Sequence, residues 1–108
     1  MTTPIYFNIR EAREQLCNVG RVYTIRNARQ TGLTEARKGS YYKFETLCKV
    51  SVEFERLIYI TEDKIFETKD RLQKYLSQSG FKTLDEWLSN ITKAKMSFMI
   101  LYSVEALQ

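Results

Sequence analysis

The sequence predicts one α+β domain with a mostly antiparallel, partly closed sheet, a short helix near the N-terminus and two helices inserted before the last strand. Three observations predict it. The chain has 108 residues, which is the size of a single domain covering residues 1–108. Apolar residues alternate, as in strands, near residue 22, across the middle and at the end of the chain. Two stretches with helical spacing precede the alternating segment at the end of the chain, an arrangement typical of α+β domains.

Composition and charge indicate a folded protein with one basic region. Hydrophobic residues make up 44% of the chain, enough for a core without metal or disulfide support. The net charge is +4, and residues 21–38, called here the basic stretch, hold five cations and one acid. That stretch alone therefore accounts for +4, and the rest of the chain is neutral. A local cluster of cations favours an anionic partner such as RNA or a nucleotide.

The residue types also exclude several classes of function. There is no histidine, and the two cysteines, Cys17 and Cys48, form no Cys-x-x-Cys motif. A structural zinc site, a disulfide scaffold and histidine-based catalysis are therefore not expected, and we expect no metal or other cofactor. No signal peptide or membrane-length apolar run occurs, so we expect a soluble, intracellular, cytoplasmic protein without a membrane partner.

The N-terminal third is predicted to run from an extended segment through a helix into a strand. Residues 1–7 look extended, and Asn8 is expected to cap a short helix over 9–17. Gly20 is expected to end that helix in a left-handed turn. Alternation then predicts a strand over 22–27. The rest of the basic stretch, as far as Lys38, has polar side chains and no sustained period, which predicts a loop.

The second half is predicted to contain the longest β tract, two helices and a final strand. Residues 41–60 are too long for one ordinary strand, so we expect two strands that break near Leu47-Cys48, or one strongly bent ribbon. Its end, 57–60, is continuously apolar and expected to be covered on both faces. Helices follow over 61–77 and 83–92, then a basic connector at 93–95. The last strand, 96–107, is apolar on both sides, which predicts a central position.

This element order, together with local motifs, resembles the ASCH family of the PUA-like superfamily over about residues 10–107. The motifs are Gly20-Arg21-Val22-Tyr23-Thr24-Ile25-Arg26, the pair Lys38-Gly39, and Gly80-Phe81 followed by Thr83-Leu84-Asp85-Glu86-Trp87. The resemblance implies a small, mixed, mostly antiparallel β-barrel that binds RNA. It also implies that Thr24, Arg26 and Glu86 occupy family site positions, with Arg21 where the family has a lysine. Some small members hydrolyse 4-acetylated cytidine nucleosides, and others have been linked to RNA cleavage.

The leading hypothesis is RNA or nucleotide binding in a cleft beside the strand at 22–27. Arginine suits phosphate or a base edge because its guanidinium is a fixed fork of donors. Thr24 and Glu86 would form the floor of the cleft, and Tyr23 and Tyr41 are candidates to stack on bases. The residues expected to contact the nucleic acid are Arg21, Tyr23, Thr24, Arg26, Arg29, Arg37 and Lys38.

Two alternatives stay open. The first is a small hydrolase, an amidohydrolase or ribonuclease, with Thr24 and Glu86 catalytic; Arg21 weakens it because guanidinium cannot lose its proton to act as a base. Glu86 has an equally strong structural explanation, since Thr83-x-x-Glu86 is a helix capping box. The second alternative is a protein-interaction module or homodimer formed through the edge of residues 41–55. Trp87 is expected in the core.

Overall fold

A computed structural model describes residues 3–91 and 98–107. The elements in chain order are β1 (Ile5–Tyr6), α1 (Arg10–Val19), β2 (Arg21–Arg26), β3 (Gly32–Gly39), β4 (Phe44–Tyr59), α2 (Ile65–Leu72), a 3₁₀ segment (Gln73–Gln78), α3 (Leu84–Ser89) and β5 (Phe98–Ala106). The expected connector at 93–95, the end of the second inserted helix at Thr92 and the start of the last strand at Met96 lie outside the described residues.

The five strands of the described residues form one curled sheet that makes a half-barrel, in the order β1-β3-β4-β5-β2. β1 runs parallel to β3, and the other neighbours are antiparallel. β5 lies between β4 and β2, so its predicted central position is confirmed. The predicted α+β class, with a mostly antiparallel, curled sheet and helices inserted before the last strand, is confirmed at this level.

The loop predicted for the second half of the basic stretch is wrong from Gly32 onward. These residues form β3, which pairs with β4 on one side and with β1 on the other. Only Ala36 of this strand is fully buried, and Leu33 is exposed. The strand therefore has no hydrophobic period, and backbone pairing on both sides stabilises it instead. Arg37 and Lys38 consequently lie on a strand and not on a loop.

The long β tract is one strand of 16 residues, β4, bent at two irregular positions. Its register skips Leu47 against β3 and Glu55 against β5. The strand continues through Leu47-Cys48, so the two-strand alternative is wrong and the bent-ribbon alternative is confirmed; the first bulge lies near the expected break. The expectation that 57–60 is covered on both faces is wrong, because Leu57 is 43% exposed.

β4, the ribbon that a homodimer through residues 41–55 would use, is paired on both sides only over 50–52. It pairs with β3 along 44–52 and with β5 along 50–59. Within the described residues, β1 and β2 are the outer strands of the sheet. Strand pairing with another chain could therefore use β1, β2 or the singly paired parts of β4.

The N-terminal helix begins at Arg10, and its N-cap is Ile9 and not Asn8, whose predicted capping role is wrong. The Asn8 side chain instead pairs with the backbone of Gly39: its Nδ2 donates to the carbonyl at 2.8 Å, and its Oδ1 accepts from the amide at 2.7 Å. Asn8 thus extends the pairing of β1 with β3. Gly20 ends α1 with φ of 89°, as predicted, and the chain turns directly into β2.

Two apolar clusters cover the two faces of the sheet. One packs α1 and β1 into the hollow of the half-barrel, with Leu16, Val52 and Val104 at its centre. The other packs α2, the 3₁₀ segment and α3 against the opposite face around Leu72, Trp87 and Leu101. Trp87 is 2% exposed, so its predicted place in the core is confirmed. Both clusters contact β5, which explains why that strand is apolar on both sides.

Candidate functional site

A cavity of about 590 Å³ lies along β2, where the sheet does not close onto β1. Its walls come from β1 and the start of α1, from β2 and the loop that follows it, and from α3 and Met99. Cavities of a few hundred Å³ are the usual size of small-molecule sites. The gap exists because β1 has only two residues and pairs with β3, so nothing in the described chain pairs with the outer edge of β2.

Arg26, the last residue of β2, spans this gap. Its Nε donates to Thr24 Oγ1 at 3.0 Å, and its Nη2 donates to the carbonyl of Tyr6 on β1 at 2.6 Å. The guanidinium also lies over the ring of Phe7, 4.7 Å from its centre. Burial, and secondarily the charge of Arg29, lower the pKa of Arg26 to about 10. Keeping the Arg26 guanidinium charged in the folded protein therefore costs free energy.

Arg29 is fixed beside it by three backbone carbonyls. Its Nε donates to Gln30 at 3.2 Å and its Nη1 to Pro4 at 3.3 Å, while its Nη2 donates to Thr3. The backbone amide of Arg29 donates to the Tyr102 hydroxyl at 2.8 Å, which anchors the loop to β5. Burial lowers the pKa of Arg29 as well. Two guanidinium groups are thus positioned at one cavity before any ligand is bound.

No carboxylate compensates these two charges within the described residues. The ion pairs found there are Arg10–Glu11, Arg37–Glu35 and Lys69–Asp85, all away from the cavity. The described lining contains no Asp, Glu, Lys, His or Cys side chain. Burying a cation without an acid is unfavourable unless a ligand supplies the negative charge. The electrostatics of the cavity therefore favour an anion.

The rest of the lining combines aromatic rings and side-chain amides with aliphatic groups such as Ile25, Ile91 and Met99. Phe7, Tyr23 and Trp87 contribute ring surface, and Asn27 and Asn90 contribute amide groups that can both donate and accept hydrogen bonds. Tyr23 is held by an edge-to-face contact with Tyr75, with ring centres 4.8 Å apart. Planar apolar walls beside fixed cations are suited to a ligand that has a flat ring and an anionic group.

The structure brings together four of the residues that the sequence singled out: Tyr23, Thr24, Arg26 and Arg29 line the cavity. Arg21 does not line it; its Nη2 donates to Ser103 Oγ at 3.2 Å, and its guanidinium lies over the Tyr23 ring.

The other candidates lie outside the cavity too. Arg37 is paired with Glu35 at 2.7 Å and covers the ring of Phe44, while Lys38 is exposed at the end of β3. Tyr41 is 76% exposed in the turn between β3 and β4.

Glu86 does not share the cavity with Thr24. It lines a second hollow of about 530 Å³ between α1 and the start of α3. Its backbone amide donates to Thr83 Oγ1 at 3.2 Å, and its Oε2 accepts from the amide of Lys82 at 3.4 Å. These contacts match the structural explanation, in which Glu86 helps to cap its own helix.

Sequence reasoning missed Phe7, Asn8, Asn27 and Asn90 as lining residues. No periodic signal marks them, because they precede or follow regular elements and meet only when β1 and β2 approach each other. An isolated asparagine beside a strand end is the one local hint, since such residues often bond to nearby backbone.

Comparisons with known proteins add no relative: no family model, no curated protein and no solved structure matches the chain. Across residues 3–91 and 98–107, no helix has the length and apolar character needed to span a bilayer. The same residues contain no group of three or more histidine, cysteine, aspartate or glutamate side chains arranged to hold a metal ion.

Proposed function

We propose that this protein binds RNA or a nucleotide in the cavity along β2. The observation that carries the proposal is the pair Arg26 and Arg29, two guanidinium groups fixed by neutral acceptors with no acid at the described lining. A phosphate would supply the missing negative charge and accept from both forks. Tyr23 would lie against the base, and the nearby asparagines would contact its edge.

The ASCH resemblance supports this proposal only as a hypothesis about ancestry. The resemblance implies four site positions. Two of them, Thr24 and Arg26, line the cavity, and the other two, Arg21 and Glu86, do not. A hydrolase needs a base close to the reacting atom. Thr24 Oγ1 accepts from Arg26, and no carboxylate or lysine lies in the described lining. Binding is therefore the function we favour over hydrolysis.

The test is binding of a short oligouridylate, measured by calorimetry at 50 and 200 mM salt. One neutralised phosphate on a single strand gives a slope near −0.7, so affinity should fall about 2.6-fold over this range. Arg26→Met should abolish most of the binding. Arg71→Met, on the exposed surface of α2, is the matched control and should behave like the wild type.

Two results would contradict the proposal: no detectable binding of either the oligouridylate or a uridine nucleotide, or an affinity that is the same at both salt concentrations. Release of cytidine from 4-acetylcytidine by the wild type would instead favour the hydrolase alternative.

A further inference from the structure

We infer that the cavity takes a terminal phosphate, a phosphomonoester carried by a nucleotide or by an RNA end, in preference to the internal phosphodiester of a chain. The inference rests on the proposed function and specifies which chemical group occupies the position between Arg26 and Arg29. It follows from three properties of the cavity: its charge, its unused hydrogen-bond donors and the rigidity of the two arginines.

The charge of the cavity matches a dianion. Arg26 and Arg29 contribute two positive charges, and burial disfavours both. A phosphodiester carries one negative charge and would leave one cation uncompensated. A phosphomonoester carries between −1.5 and −2 at neutral pH, with its second pKa near 6. Since an unpaired buried charge is costly, the dianion is the better match.

The hydrogen-bond donors point to the same group. Each guanidinium has five N–H donors. Arg26 donates two of them to Thr24 and Tyr6, and Arg29 donates three to backbone carbonyls. This leaves three on Arg26 and two on Arg29 without a hydrogen bond to the described part of the chain. A terminal phosphate offers three equivalent oxygens to these five donors, whereas a diester offers two.

The two arginines are already held in place. The carbonyls that fix them belong to Thr3, Pro4, Tyr6 and Gln30, and a ligand does not have to displace a carboxylate from either guanidinium. A preorganised pair loses little side-chain entropy on binding. The site should therefore discriminate between phosphate charge states, because it cannot relax easily around a ligand of lower charge.

The pH dependence of binding provides a direct readout. The titratable side chains facing the two arginines are Tyr6 from β1, Tyr23 from β2 and Tyr102 from β5, while α1 and α3 contribute none to the lining. The protein has no histidine. A change in affinity between pH 5 and 7.5 that appears with a monoester and not with the corresponding diester therefore reports titration of the ligand's phosphate.

The experiment compares uridine 5′-monophosphate with its methyl diester and with uridine by calorimetry across this pH range. The dianion is about a tenth of the monoester at pH 5 and nearly all of it at pH 7.5, so monoester affinity should rise about tenfold. Diester affinity should stay constant. Arg29→Gln removes one charge, so the ratio of monoester to diester affinity should fall towards one. Arg71→Gln is the control and should keep the wild-type ratio. Circular dichroism checks that both variants fold.

Two further arms distinguish the source of the phosphate. A 5′-phosphorylated pentauridylate that binds at least tenfold more tightly than the mononucleotide would identify an RNA end, and equal affinities would identify a free nucleotide. Equal binding of monoester and diester at pH 7.5, or a monoester affinity independent of pH, would overturn the inference while leaving the proposed function in place. No binding of any of these ligands would remove the proposed function itself.

Discussion

Replacing Arg26 by methionine tests whether its charge is kept for a ligand. Burial lowers the pKa of Arg26 to about 10, and each pKa unit corresponds to about 1.4 kcal/mol, so holding the charge costs the fold about 3 kcal/mol. Because the pKa is lowered, this free-energy cost is fully present below pH 10 and disappears as the pH rises from about 10 towards the ordinary pKa of arginine. A measurement at pH 7 therefore contains all of it.

Methionine removes that cost but also removes favourable contacts. The hydrogen bonds to Thr24 and Tyr6 contribute about 3 kcal/mol together, and the contact with the Phe7 ring contributes about 1 kcal/mol. The difference is about 1 kcal/mol, so Arg26→Met should lower the melting temperature by only about 5 °C. The fold should tolerate the loss of a side chain that spans two strands.

The assay is thermal unfolding followed by circular dichroism, with and without millimolar inorganic phosphate. Phosphate should raise the melting temperature of the wild type and of Arg71→Met, because a ligand that binds only the folded state stabilises it. Arg26→Met should show only the smaller, non-specific stabilisation that phosphate gives many proteins.

Two outcomes would refute this reasoning. A loss of more than about 4 kcal/mol in Arg26→Met would mean that the guanidinium is needed mainly to hold β1 against β2. An equal effect of phosphate on the wild type and on the variant would mean that Arg26 does not contact the anion.

Three further predictions concern stability. Gly80 and Gly20 both have left-handed φ, but their surroundings differ: a Cβ at Gly80 would overlap the Glu11 carbonyl, whereas one at Gly20 meets no atom within 4 Å. Gly80→Ala should therefore lower the free energy of unfolding in urea by about 1–3 kcal/mol more than Gly20→Ala does. Asn8→Ala should cost about 1–2 kcal/mol because it removes the reciprocal pair with Gly39, and equal urea midpoints for variant and wild type would contradict this. A hydrogen bond from Arg37 holds the pKa of Glu35 below its usual value. The free energy of unfolding should therefore fall as the pH drops below the usual pKa of a glutamate, and it should fall less steeply in Glu35→Gln.

The sequence was sufficient for those elements whose cause is local. A few neighbouring residues are enough to predict the left-handed turn at Gly20, the helix cap at Thr83 and the apolar residues on both faces of β5. An interruption or bend in residues 41–60 follows from length alone, because the tract exceeds an ordinary strand. These features concern backbone conformation and burial, which short-range patterns report well.

The parts that failed depend on residues far apart in the chain. β3 carries little hydrophobic signal, because its pairing with β1 and β4 comes from backbone groups that every residue possesses. Only part of the cavity lining was predicted: Arg26 and Arg29 were identified, but the aromatic and amide groups that follow β1 and α3 were not. Glu86 was grouped with Thr24 by the resemblance alone, and the structure separates them.

The partner of β2 is β5, near the opposite end of the chain; Arg21 and Ser103, which contact each other, are 82 positions apart. Pairings of such long range form late, since the intervening chain must first be brought together. During synthesis, β2 therefore stays unpaired, with its apolar residues exposed to solvent, until β5 has emerged from the ribosome. A message cut short before β5 would yield a chain that lacks the Met99 wall of the cavity and leaves β2 unpaired, and such a chain is a target for chaperones and proteases.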